Sequence, residues 1–463
     1  MNIVVILISL SLLIFAAYRG YSVILFAPIA ALAAVLLTLP YLAMPVYSWV
    51  FGEKMVSFIK LFFPVFLLSA VFGKLTEACG MAGSIARTVI KLFGAGNAMP
   101  AIVVLGAILT YGGVSLFVVA FAVYPFAADL FKSAGIPKRL IPATIALGAF
   151  TFTMDAFPGS PQIQNIIPTG AFHTTTWAAP WLGFCGGMFI FIFGVLYLQW
   201  QKRKAASRSE GYGIDHINEP ETFSGERLPS VWIAILPLFI VVVSNKVFNT
   251  VLDRYYGKAF SFPAFGIEGG SGLDLKPFIP VWSVSTALVL GILVIVLLRF
   301  RHLKNIKKEI NISIGGALLA AMNTASEYGF GAVIAILPGF KVIEKGMASV
   351  FGNVLVNEAV AVTTLSGITG SASGGMSIAL ASMKDIFLSK AMAQGIPNEV
   401  LHRVASMASG GMDTLPHNSS VLTLLVITGL THRQSYKDIF MLTLLKVMAV
   451  FFIILLYYSF GLV

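Results

Sequence analysis

Apolar runs about 20 residues long, the length that crosses a bilayer as a helix, dominate the chain, and the polar positions within and between them carry the architecture. Uninterrupted runs predict helices near residues 2–18, 22–43, 56–80 and 177–200, then 230–249 and 279–299, then 312–337 and 438–460. Four further apolar stretches are interrupted. Residues 98–131 are broken by Gly112-Gly113, and residues 350–392 by the small-residue run from Thr369 to Gly375; each predicts a re-entrant hairpin. Residues 139–170 and 399–430 are broken at 155–161 and at 413–420, and each predicts a helix unwound near the membrane midplane. Backbone freed from helical hydrogen bonds persists at that depth only where it is buried in protein or lines a wet cavity. The breaks therefore mark the functional region.

The interruptions recur. Gly112-Gly113-Val114-Ser115, Gly135-Ile136-Pro137 and Met154-Asp155-Ala156-Phe157-Pro158 return in order, about 260 residues later, as Gly374-Gly375-Met376-Ser377, Gly395-Ile396-Pro397 and Met412-Asp413-Thr414-Leu415-Pro416. A weaker anchor lies upstream, where Thr76-Glu77 matches Ser326-Glu327. Duplicated halves with acidic, Gly/Pro-broken spans in matching places point to a secondary transporter. The expected fold is an all-α polytopic membrane protein of two inverted-topology repeats, each with a re-entrant hairpin and a broken helix. Its parts are N-terminal helices (1–50), repeat 1 (51–200), a cytoplasmic linker with two connecting helices (201–310) and repeat 2 (311–463).

Composition agrees and charge sets the orientation. The 463 residues are 57% hydrophobic and 11% charged, far from the balance of a soluble domain. The net charge of +11 does not indicate nucleic acid, because Lys and Arg fall in short loops between spans. The clusters at Arg87/Lys91, Lys132/Lys138/Arg139, 202–208, 299–308 and Arg433/Lys437 align on one face, read as cytoplasmic. That places the N-terminus and the loop 250–278 outside an inner-membrane protein, with Lys341, Lys345, Lys390 and Arg403 on the outer side as exceptions. Cys79 and Cys185 have no metal-ligand spacing and no basis for a disulfide.

Asp155 and Asp413 occupy the two breaks, as caps of the following half-helices or as proton- or cation-binding carboxylates. No Lys or Arg lies within 155–161 or 413–420, so an anion would be held by helix N-termini, hydroxyls and amides. The expected substrate groups are Thr110, Gly112, Gly113 and Ser115 at the first hairpin and Ser371, Ser373, Gly374, Gly375 and Ser377 at the second. The breaks contribute Ser160, Gln162, Asn165, His417, Asn418 and Ser419. Thr151, Thr153, Gln164, Ser409, Thr414 and Ser420 surround them. Lys74 is spaced to pair with Glu77, Glu327 reads as the equivalent acid near a span end, and Glu358 has no counterpart.

The stretches Tyr111-Gly112-Gly113-Val114-Ser115-Leu116-Phe117 and Asp155-Ala156-Phe157-Pro158-Gly159-Ser160-Pro161-Gln162-Ile163-Gln164-Asn165 resemble the gluconate permease family, within the ion transporter superfamily. The resemblance runs over nearly the whole chain. It implies uptake of a small organic anion, such as gluconate or a hydroxy monocarboxylate, with protons, by a homodimer whose hairpins and broken helices form a mobile, elevator-type unit. Two aspartates would repel an anion unless a bound cation neutralised them, a physical reason for symport. The residues themselves leave sodium coupling and cation/proton antiport open. No cofactor, resident metal or enzymatic activity is expected, and the other partner is the lipid bilayer.

Overall fold

Each uninterrupted apolar run forms a helix, and each interruption ends one. The protein, a computed structural model, is described over residues 2–18, 21–114, 116–214, 216–219, 228–256, 260, 275, 278–300, 306–340, 352–416 and 418–463. Ser115, His417, Lys341, Lys345 and most of the 250–278 loop lie outside the described residues, as does the side chain of Ser419. The chain is all-helical. Its helices are α1 (Asn2–Tyr18), α2 (Val23–Thr38), α3 (Glu53–Ala78), α4 (Met81–Phe93), α5 (Ala98–Tyr111), α6 (Leu116–Ser133), α7 (Ile141–Ala149) and α8 (Ile163–Phe172). There follow α9 (Pro180–Ala206), α10 (Val231–Tyr256), α11 (Ile279–Arg299), α12 (Ile306–Ile336), α13 (Val354–Thr369), α14 (Ala372–Ala393), α15 (Asn398–Gly410), α16 (Ser419–Thr428) and α17 (His432–Phe460). Among the described residues, Pro40–Ala78, α9, α10, α11 and α17 are long and apolar enough to cross a membrane.

The residues that interrupt the apolar pattern do so chemically. Asn353 accepts hydrogen bonds from the N–H groups of Leu355 and Val356 (3.0 and 3.1 Å), starting α13. Ser371 accepts from Gly374 N (3.0 Å), starting α14, and Asn418 from Ser420 N (2.7 Å), starting α16. Each satisfies a donor that a helix N-terminus would otherwise leave free. The turn between α5 and α6 passes through Gly113 at φ +98°, a conformation that side chains with a Cβ rarely adopt. One helix is absent from the apolar pattern, because α4 is amphipathic rather than apolar. It buries Met81, Ile85 and Val89 on one face and exposes Arg87 and Lys91 on the other.

Packing joins the two halves at their breaks. Hairpin α5–α6 lies on α7, and hairpin α13–α14 lies on α15. Across the halves, α8 packs on α14 and α15, and α6 on α16. Outside this unit, α12 runs along α2 and α3, and α10 pairs with α11. The arms α13 and α14 touch at Gly375, where a Cβ would overlap the backbone of Ser366 and Leu365. Gly375 thus faces its own hairpin and not a ligand space. Gly375→Ala should force the arms apart and lower stability by about 1–3 kcal/mol, the usual cost of overpacking. An unchanged unfolding midpoint of the purified protein would contradict this contact.

Two of the basic loop residues are not free anchors. Lys138, almost fully buried, donates to Glu219 (2.7 Å) and to Ile217 O (2.9 Å); Arg139 forks onto Glu210 (2.7 and 3.0 Å) and reaches Asp438 (2.9 Å). They fasten residues 210–214 and 216–219 against α6, α16 and α17, where Asn218 also donates to Val426 O. Hydrogen bonding from Arg139 holds the Glu210 carboxyl below its ordinary pKa. The sign follows: this tie is complete above the usual carboxylate range and weakens only as pH falls through the depressed value.

Candidate functional site

Helix α7 ends at Ala149, a single turn spans Phe152–Asp155, and the chain then runs without helix to Gln162. This largely buried backbone lacks helical partners, and side chains supply them. Thr153 Oγ1 donates to Gly148 O (2.9 Å) and Ser160 Oγ to Thr153 O (2.6 Å). Asn165 Nδ2 donates to Ser160 O and Thr176 O, both at 2.9 Å. Gln162 Nε2 reaches the first hairpin, donating to Thr110 O (2.7 Å) and Val114 O (3.1 Å), while Tyr111 OH donates to Pro158 O (2.7 Å). Each such carbonyl left unpaired would cost about 1–3 kcal/mol. Ser160, Gln162 and Asn165, expected to face substrate, are therefore engaged in holding the break open and the hairpin against it.

The second break is tied in the same manner. Asn418 Nδ2 donates to Gly370 O of the second hairpin (2.8 Å) and to Asp413 Oδ1 (3.1 Å). Asp413 also accepts from Ala372 N at the start of α14 (3.2 Å) and, through Oδ2, from Gln164 of the first break (2.9 Å). Asp413 thereby joins the second hairpin and both breaks. Gln164 Oε1 has no hydrogen-bond partner among the described residues.

Asp155 has a different environment. Lys446 of α17 places Nζ 2.5 Å from Asp155 Oδ2 and 3.2 Å from Phe150 O; the acid is fully buried and the lysine 1% exposed. Asp155 Oδ1 has no hydrogen-bond partner among the described residues. Gly410 makes room for the carboxylate, since a Cβ there would overlap Oδ2. Arg403 of α15, counted among the basic residues of the outer side, is fully buried. It donates to Asp155 O (3.0 Å), Asn165 Oδ1 (3.0 Å) and Ala178 O (2.6 and 3.2 Å). His402 beside it bonds Thr174 (2.6 Å) and Asn165 (3.2 Å).

The site thus holds two carboxylates and two cations, Asp155, Asp413, Lys446 and Arg403, whose formal charges cancel. The two breaks themselves carry no Lys or Arg, but packing brings the ammonium group of Lys446 to the first of them. The sequence carried a signal for it: one lysine inside the apolar run from Leu442 to Ile454, where an isolated charge within a span is costly and marks function.

The hairpin residues divide. A Cβ on Gly112 would overlap Leu238 of α10, and Gly113 meets Leu288, Pro161 and Phe72, so the first tip is set in apolar packing. Thr110 Oγ1 donates to Ala149 O (3.4 Å). At the second tip Ser371 caps α14, Ser373 Oγ lies 3.4 Å from Thr324 Oγ1 of α12, and the buried Ser377 Oγ has no partner among the described residues. Glu77 pairs with Lys74 at 3.3 Å, as its spacing predicts. Glu327 is no span-end acid: it is buried within α12 with its carboxylate against Gly374. Glu358 is fully buried on α13, and neither carboxylate oxygen has a partner among the described residues.

No family model matches the chain. It is 54% identical over 472 residues, covering both sequences entirely, to the uncharacterized transporter YxjC of Bacillus subtilis. Its fold is similar to the Alcanivorax borkumensis YdaH transporter, described as having an unusual topology, with a TM-score of 0.54 and 16% identity over 88% of each chain. It is also similar to Neisseria gonorrhoeae MtrF, described within a class of antimetabolite efflux pumps, with a TM-score of 0.54 and 14% identity over 88% of this chain and 83% of that one.

Proposed function

Because the chain belongs to the family of the Bacillus subtilis transporter YxjC, we propose that it imports a small organic carboxylate by proton symport, as its resemblance to the gluconate permeases implies. The observation that carries this reading is the buried Lys446–Asp155 pair at the junction of the two breaks. A charge-balanced site gains one negative charge when a monocarboxylate enters. Lys446 is the cation best placed to receive it, because Arg403 is already engaged with backbone carbonyls and Asn165. As the substrate carboxylate takes over Lys446, Asp155 loses its partner inside a low-dielectric site and accepts a proton. One proton then accompanies one monocarboxylate, and the loaded site is again neutral. Proton and substrate bind cooperatively, since each removes the electrostatic cost of the other. Asp413, held by three donors, acts as the joint through which the second hairpin responds to occupancy.

In this reading the hairpins and broken helices move as an elevator unit of inverted repeats within a homodimer in the inner membrane, N-terminus outside. The test is uptake by proteoliposomes of radiolabelled gluconate and lactate. An inward proton gradient should drive accumulation that a protonophore collapses, that choline in place of sodium leaves unchanged, and that a change in membrane potential at fixed pH gradient does not alter. Arrest on sodium removal would make sodium the coupling ion. Absence of uptake of any carboxylate would remove the reading, and accumulation only from the opposite membrane face would make the protein an exporter.

A further inference from the structure

The exchange at Lys446 leaves a buried acid of α12 without a task. Glu327 is 4% exposed, and its carboxylate lies directly against Gly374 in the first turn of α14, where a Cβ would overlap Oε2. Three residues earlier on α12, Thr324 Oγ1 is 3.4 Å from Ser373 Oγ, which is 3.5 Å from Ser371 Oγ. One turn further along α14, Ser377 is fully buried, and its Oγ has no hydrogen-bond partner among the described residues. The second hairpin therefore meets α12 through one carboxyl group and a line of neutral hydroxyls. At Gly112 and Gly113 the first hairpin instead meets the apolar side chains of Phe72 on α3, Leu238 on α10 and Leu288 on α11.

No described cation answers Glu327. The elements packed on α12 are α2, α3, α14 and the turn Val46–Gly52. Of these α2 has no titratable residue and the turn has Tyr47; α3 carries Glu53, Lys54, Lys60, Lys74 and Glu77; α14 carries Lys384, Asp385 and Lys390. On α12 itself the other titratable residues are Lys307, Lys308, Glu309 and Tyr328. Among the described residues Glu327 takes part in no ion pair, and Lys74 of α3 pairs with Glu77.

An ionised carboxylate buried without a cation is strongly disfavoured, whereas a neutral carboxyl donates a hydrogen bond and suits a surface of hydroxyls. A metal ion needs several oxygen ligands placed around it, whereas a proton needs only the carboxylate oxygen that binds it. We propose that Glu327 is a second proton-binding site, separate from Asp155, and that its protonation lets the tip of the second hairpin dock on α12. Loss of the proton leaves a charge that must draw in water, which parts the Thr324–Ser373 contact. This holds whatever solute the protein carries.

The contact can be read without substrate. In a background with Cys79→Ala and Cys185→Ala, Thr324→Cys and Ser373→Cys report docking by their rate of oxidative cross-linking. Glu327→Gln, which keeps the shape and fixes the side chain neutral, supplies the reference that cancels the intrinsic pH dependence of thiol oxidation. The cross-linking rate with Glu327 intact, divided by the rate in the Glu327→Gln reference, should be near one at about pH 5.5 and fall about tenfold by about pH 8.5 as the docked population shifts. A ratio independent of pH overturns the proposal, and sodium restoring the contact at high pH overturns it in favour of a metal-ion site. If the double-cysteine protein is not monodisperse, dicyclohexylcarbodiimide, which modifies protonated buried carboxyls, gives the same reading in the unaltered chain. A Glu327 adduct that fades as pH rises supports the site; an adduct that is absent or constant refutes it.

Discussion

Lys446→Met should abolish gradient-driven accumulation of carboxylate and lower the stability of the purified protein. The ammonium group is 2.5 Å from Asp155 Oδ2 within a site that excludes solvent. Removing it strands a buried acid, a change that typically costs about 3–5 kcal/mol. Transport should fall at least about a hundredfold, the rate equivalent of losing about 3 kcal/mol. The double variant Asp155→Asn with Lys446→Met separates the two effects. It removes both charges together, so most of the lost stability should return while proton-coupled accumulation does not. Thermal unfolding and proteoliposome uptake, measured on the same preparations, read the two quantities. Normal accumulation by Lys446→Met would take the lysine out of the mechanism, and a double variant no more stable than the single one would mean that the pair is not coupled.

Arg403→Met should be the most destabilising substitution in α15. The guanidinium binds the carbonyls of Asp155 and Ala178 and the amide oxygen of Asn165, so it joins α15 to the first break and to the chain entering α9. Asp155 O keeps a second donor, Ser406 Oγ at 2.8 Å, and Asn165 Oδ1 keeps His402 Nε2 at 3.2 Å, whereas Ala178 O loses both of its guanidinium bonds. Loss of the arginine thus weakens three buried acceptors and upsets the charge balance around Asp155, for about 3–5 kcal/mol in total. Lysine should not rescue it, because an ammonium group lacks the planar fork that reaches three separate acceptors. An Arg403→Lys protein with the wild-type unfolding midpoint would show that charge alone is required and that the hydrogen bonds are incidental.

Much of the fold was legible because it depends on local pattern. Span lengths, the two hairpins and the two breaks follow from where apolar runs stop at Gly, Pro, Ser and Asn, and these residues end helices through their own caps and turns. The candidate site was legible in part. Asp155 and Asp413 were read as equivalents, since the strings around them match, yet one is paired with a lysine and the other accepts three hydrogen bonds from N–H donors. Glu77 and Glu327 were likewise matched, and they differ more: Glu77 is partly exposed beside Lys74, while Glu327 is buried against a glycine of the second hairpin. Ser160, Gln162, Asn165 and Asn418 lie at the breaks, and all four donate to backbone carbonyls there, while Asn165 and Asn418 also bond side chains.

By itself, then, the sequence determined that the chain is an all-helical membrane protein with two broken spans and an acid in each, because helix formation and termination are decided within a few residues. Only the tertiary structure decided what each acid touches. Helix α17 passes both breaks, with Thr443 2.7 Å from Thr414 and, one turn on, Lys446 at Asp155. Helix α15 turns Arg403 inward in the same way. Such pairings depend on the crossing and rotation of helices that are distant in the chain, and no local periodicity records them. The physical reason is electrostatic: a carboxyl buried in protein must be met by a counter-charge or by hydrogen-bond donors, or else hold a proton, and which of these it meets is set by packing between distant helices.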